Sequence, residues 1–183
     1  MRLHTILVGL LALSTSAALA ETERRELGPH VHGAGSLSIA IEGNKVSMDF
    51  SAPANDILGF EHQPTTPEQT KVLEAAKALL GQPLKLIEMP AEAACVAVSA
   101  SVVFNAADPG AAKAATPAAD EHQHADFDVD YVVTCAAPAK ITALSFPYFK
   151  LFSGAQKLTV TVASEAGQSQ FDVTRDSPSH TLK

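Results

Sequence analysis

Two short histidine-bearing motifs flank one hairpin pattern, and their donor types suit a divalent metal ion. Gly28-Pro29-His30-Val31-His32-Gly33 precedes the hairpin, and Gly59-Phe60-Glu61-His62-Gln63-Pro64 follows it. His30 and His32 are two residues apart, so in extended chain their side chains point the same way and can share one ion. Between the motifs, Ser36–Ile41 and Lys45–Phe50 alternate as strands do, joined by Glu42-Gly43-Asn44, where Gly and Asn accept positive φ. A residue entering an antiparallel hairpin and a residue leaving it lie at the same end. His30, His32 and His62 are therefore expected to converge there with Glu61, either as a fourth ligand or as a carboxylate orienting an imidazole. Three imidazoles and a carboxylate suit zinc, and copper or nickel would also fit such a set. Imidazole binds metal only when neutral, so affinity should collapse below its reference pKa of about 6.5.

A second His-x-His, His122 and His124, lies in Asp120-Glu121-His122-Gln123-His124-Ala125-Asp126, where flanking acids would favour a cation. This stretch reads equally well as an auxiliary metal site or as a solvated acidic linker. His180 has no chemical company in the sequence. Met48 and Met89 do not cluster, which argues against a thioether copper site. The chain has no H-E-x-x-H, no G-x-S-x-G, no P-loop and no G-x-G-x-x-G. A binding protein is expected rather than an enzyme. The competing class is an envelope adaptor or structural protein whose histidines are incidental.

The elements that must position these residues are legible in outline. Ser51–Asp56 reads as a Pro/Asn/Asp break, after which Ile57-Leu58-Gly59-Phe60 returns apolar side chains to the core. Thr66 can cap a helix with Pro67 in its first position and Glu68 in its first turn. Val72, Leu73, Ala76, Leu79 and Leu80 recur at helical spacing, and Gly81 stops the helix. Leu84–Ile87 reads as a short strand, Cys95–Phe104 and Phe127–Cys135 as longer ones, and Asn105–Asp126 as a mobile insert. Lys157–Val162 and Gln168–Val173 form a last hairpin pattern around Glu165-Ala166-Gly167. The expected fold class is α+β: an antiparallel sheet of hairpins, one main amphipathic helix packed on it, and one disulfide.

Cys95 and Cys135 sit at matching ends of two strands, and an even cysteine count in an oxidising compartment makes a disulfide the default. On the chain-entropy model, closing that loop restrains the unfolded state by about 4 kcal/mol. The compartment follows from residues 1–20, which read as a signal peptide: Arg2, an apolar run over Thr5–Leu13, and Ala18-Leu19-Ala20 before Glu21. Export across an inner membrane, with cleavage after Ala20, is expected. That leaves one domain, residues 21–183, with no later run long and apolar enough to span a bilayer. Without Arg2 there are 12 basic residues against 20 acidic ones, a net charge of −8. Such a balance disfavours nucleic acid and attracts cations.

The two anchoring motifs, with Ser51-x-Pro53, a following helix and a cysteine pair spanning a histidine-containing insert, resemble the ZrgA family. The resemblance covers nearly the whole chain after residue 20. It implies a periplasmic zinc-binding protein that captures and delivers or buffers zinc for uptake, alongside inner-membrane transport components. It matches His30, His32, Glu61 and His62 to the family's motif positions. The insert carries His122 and His124, where some relatives have a long alternating run of His and acids.

Overall fold

A computed structural model describes residues 31–106 and 125–182. Strand β1 (Ala34–Glu42) turns into β2 (Lys45–Pro53), with Glu42 opposite Lys45 across a two-residue turn. Of the two turn residues only Gly43, at φ +55°, takes the left-handed region; Asn44 does not. The hairpin therefore needs one glycine, in the first central position. Helix α1 (Ala54–Leu58) follows β2 directly, so the stretch read as a break continues the strand to Pro53 and then winds a single helical turn. Pro53 stands beyond the last β1–β2 pair, Ser36 with Ser51, so it has no partner on the β1 side.

Helix α2 (Pro67–Leu80) begins and ends where its caps require. The Thr66 hydroxyl accepts the Gln69 N–H at 3.2 Å, and Gly81 donates its N–H to the Lys77 carbonyl. Leu73, Ala76 and Leu80 face the core, whereas Val72 is exposed. The short run read as a strand at 84–87 is instead helix α3 (Pro83–Leu86), with Pro83 in its first position. Four apolar-rich residues cannot by periodicity alone distinguish strand from buried helix, and Pro83 decides the matter by fixing φ.

Strands β3 (Cys95–Asn105) and β4 (Asp126–Cys135) pair antiparallel, with Cys95 opposite Cys135 and a disulfide between them. The expected insert lies largely at 107–124, outside the described residues; Asn105 and Asp126 themselves end β3 and begin β4. Then come β5 (Ala143–Ser145), helix α4 (Tyr148–Leu151), β6 (Lys157–Ser164), β7 (Gly167–Thr174) and β8 (Ser179–Thr181). Strands β5 and β8 form a small two-stranded sheet.

The main sheet has the order β3-β4-β2-β1-β6-β7, and β6 runs parallel to β1. This corrects the expectation of an all-antiparallel sheet. The two hairpins are each antiparallel within themselves, but they dock side by side in parallel. Turn residues dictate direction only across short loops, and β1 and β6 are joined by a long connection that leaves the direction open. The expectation of one main helix is likewise refined, since α1, α3 and α4 add short turns around α2.

One face of the sheet is buried. Leu37 and Ile39 of β1, Val46, Met48 and Phe50 of β2, Phe127, Val129, Tyr131 and Val133 of β4, and Leu158 and Val160 of β6 all point inward. Leu73 and Leu80 of α2, Leu86 of α3, and Tyr148, Phe149 and Phe152 in and after α4 belong to the same core. The period-2 alternation sends Ser36, Ser38, Ser47, Thr159 and Thr161 to the other face, as expected for a sheet covered on one side. No helix among the described residues is long and apolar enough to cross a membrane.

Candidate metal site

The site is built at the end of the sheet where β1 begins and β2 leaves. Val31, His32 and Gly33 form a turn closed by the Ala34 N–H on the Val31 carbonyl at 3.0 Å, with Gly33 at φ +81°. A residue with a Cβ would be strained there, and that Cβ would also meet the Gln156 side chain at 3.0 Å. The turn leaves the His32 side chain on the exposed side of the corner. On the other strand, α1 makes one turn and Gly59, at φ +80°, reverses the chain by donating to the Asn55 carbonyl. That reversal carries Glu61 back toward the hairpin entrance. Nε2 of His32 meets Oε1 of Glu61 in a close polar contact between residues 29 positions apart.

His62 follows at the same end and is exposed. Its Nδ1 lies 2.8 Å from the Gln63 carbonyl oxygen. A carbonyl can only accept, so Nδ1–H is the donor in this arrangement, and in the neutral ring Nε2 is then the nitrogen with the lone pair. The ring sits beside Phe60, with centroids 5.2 Å apart. Among the described residues, no group of three or more His, Cys, Asp or Glu side chains closes to metal-holding geometry. His32 and Glu61 supply a pair. His30, His122 and His124 lie outside the described residues. His180, by contrast, stacks on Phe171 with ring centroids 3.7 Å apart and belongs to the packing.

Asp56 is the residue the sequence reading missed. It is the one buried charged side chain among the described residues, 3% exposed, and it lies directly behind the His32 corner. The Gly33 N–H donates to both of its carboxylate oxygens, at 2.8 and 2.9 Å. Burial raises its pKa above the usual aspartate value; the Gly33 N–H and the nearby His32 pull the other way, and Glu61 adds to the rise. From behind, Gly154 packs so closely that a Cβ there would stand 2.6 Å from the Asp56 backbone. The segment around Gly154 is held by Arg175, whose guanidinium donates to the carbonyls of Phe149, Phe152, Ser153 and Ala155.

A family model for the ZrgA family zinc uptake protein matches residues 29–182. The chain belongs to the ZrgA family. The match begins at the residue before His30 and ends after the last strand, so it takes in both histidine motifs and the whole described fold. This ZrgA-family chain has no match among curated proteins. Membership supports a role in zinc uptake and makes zinc the metal to test against the His32–Glu61 corner. The donors fit, since an imidazole and a carboxylate held together at the surface are both ordinary zinc ligands.

Proposed function

We propose that this ZrgA-family chain captures zinc in the periplasm and delivers or buffers it for uptake. His30, His32 and His62 serve as direct ligands, with Glu61 as the carboxylate of the set. The observation that carries the reading is the contact between His32 Nε2 and Glu61, made across the mouth of one hairpin. It puts an imidazole and a carboxylate together, and His62 is the residue next to Glu61 in the chain. A net charge of −7 over the whole sequence favours approach of a cation. The zinc is cargo on this reading, and an exposed corner suits a site that must both load and unload. His122 and His124 provide an auxiliary site in the insert, residues 1–20 direct export, and inner-membrane transport components receive the ion.

Competition titration of untagged protein with a chromophoric zinc chelator tests the primary site. The His30→Ala/His32→Ala variant should lose at least about 100-fold in affinity, beyond the 10–100-fold typical of changes to outer partners of a metal site. Unchanged stoichiometry and affinity would sink the assignment. His122→Ala/His124→Ala should instead remove only weaker binding and leave the tight equivalent in place.

A further inference from the structure

We propose that Asp56 is the positioning residue of the zinc site: its buried carboxylate fixes the Val31–Ala34 turn through the Gly33 N–H and so sets where the His32 imidazole stands. The inference rests on the metal reading above and adds to it a residue that no ligand motif contains.

Three anchors meet on Gly33. Its N–H is shared between the two Asp56 oxygens at 2.8 and 2.9 Å, and its carbonyl accepts the N–H groups of Gln156 at 2.9 Å and Lys157 at 2.7 Å. The carbonyl anchors bind the turn to the start of β6, and the N–H anchor binds it to α1. His32 is the residue immediately before, so the peptide unit joining it to Gly33 is the one whose N–H Asp56 holds. The same short helix leads through Gly59 to Glu61. One carboxylate therefore couples the segment carrying His32 to the segment carrying Glu61, and the distance between these two donors depends on it.

Asp56 is itself well fixed. Gly154 backs its main chain at a separation no side chain could enter. Tyr148, buried to 1% exposure, lies close enough for the Asp56 carboxylate to help raise its pKa, although burial is the larger cause. Burying a carboxylate costs free energy that an apolar residue would not incur. The bifurcated hydrogen bond donated by one backbone N–H recovers part of that cost, and its product is a turn held in one place. Donors must be held to within a fraction of an ångström for tight metal binding, which is where such rigidity has its use.

The test compares Asp56→Ala and Asp56→Asn with Leu80→Ala, a core change on α2 that loosens the fold without touching the corner. In metal-free protein, NMR should show the Gly33 amide losing exchange protection and the His32–Glu61 proximity disappearing in Asp56→Ala. Asp56→Asn keeps one acceptor oxygen and should retain part of both, which keeps the test open should the alanine variant fail to fold. Zinc affinity should fall about 10–100-fold in Asp56→Ala, as for other groups that orient metal ligands. Leu80→Ala should change it by no more than about twofold, as for sites that do not couple. Equal loss of affinity in Leu80→Ala and the Asp56 variants, or an intact His32–Glu61 contact in Asp56→Ala, would overturn the assignment. Failure of the wild type to bind zinc would instead remove the metal reading, and the metal-free spectra would still decide whether Asp56 places His32.

Discussion

Gly154 lies against Asp56 so closely that a Cβ on it would stand 2.6 Å from both the Asp56 Cα and its carbonyl oxygen. The obstacle is backbone, which cannot rotate away, so the two chains must separate to admit even a methyl group. Gly154→Ala should destabilise the fold by about 3 kcal/mol, the upper part of the range for overpacking. Chemical denaturation measures the loss. Because Asp56 would be displaced toward the Gly33 turn, zinc affinity should fall as well. Gly43→Ala, at a turn with nothing within 4 Å, should show backbone strain alone and leave zinc affinity unchanged.

Arg175 should prove as important to this end of the molecule as any apolar residue. Its guanidinium satisfies four carbonyls of the segment 149–155, and its own N–H donates to the Gln156 carbonyl. Arg175→Ala would leave partly buried acceptors without donors, at a cost of about 2–3 kcal/mol. Arg175→Lys should recover only a small part, because an ammonium cannot reach four acceptors with the fixed fork of a guanidinium. Urea melts of the three proteins order these effects. An equal melt for wild type and lysine variant would contradict the geometry.

What could be read in the sequence was what is encoded locally. The first hairpin and the Thr66-capped helix each follow from neighbours in the chain, whereas the Cys95–Cys135 pairing, 40 positions apart, followed from the even cysteine count. Hairpin geometry put the His32 and Glu61 motifs at one end, and the α1 turn with the Gly59 reversal brings Glu61 onto His32. The parallel docking of β6 on β1 was not legible, since no turn connects them. Asp56 was missed for a related reason: in Pro53-Ala54-Asn55-Asp56 an aspartate looks like a turn residue. Nothing near it signals that its partner is a backbone N–H 23 positions earlier. The available clue was its place directly before the apolar pair Ile57-Leu58. The secretion signal, the insert histidines and His30 lie outside the described residues and remain proposals.

Asp172 on β7 should titrate below an ordinary aspartate. Hydrogen bonds from Lys157 at 2.8 Å and from the Thr159 hydroxyl at 2.8 Å favour its charged form and lower its pKa from the usual 3.8. A carboxyl whose folded pKa is depressed contributes stability above its unfolded pKa, and that contribution is lost as pH falls through the folded value. The window thus lies at and below about pH 3.8. The side chain is exposed, so the gain is small and screened by salt. Carboxyl carbon shifts followed by NMR should give a midpoint under 3.8 in wild type. In Lys157→Met the midpoint should move back up, with the remaining displacement due to Thr159.

The disulfide should matter most to strand β3. That strand is an edge of the main sheet, bonded only to β4, and its Val96 and Val98 are 61% and 62% exposed. Little burial therefore holds its first residues, and the ladder shifts register between Ala97 and Ser99. The covalent link at Cys95–Cys135 stands in for the missing apolar contacts at that end. The Cys95→Ser/Cys135→Ser variant should lose about 2–4 kcal/mol of global stability. Amide exchange resolves the loss by position: Val96 and Ala97 should become the fastest-exchanging ladder amides, while β1 and β2 change only with the global term. The site end of the sheet is the opposite one, because β2 leaves toward α1 where Pro53 pairs with Asp126, far along β4 from Cys135. Zinc affinity measured in the absence of denaturant should therefore be the same with and without the disulfide. A large drop in affinity on its removal would mean that the His32 corner depends on strand β3, contrary to the contacts described.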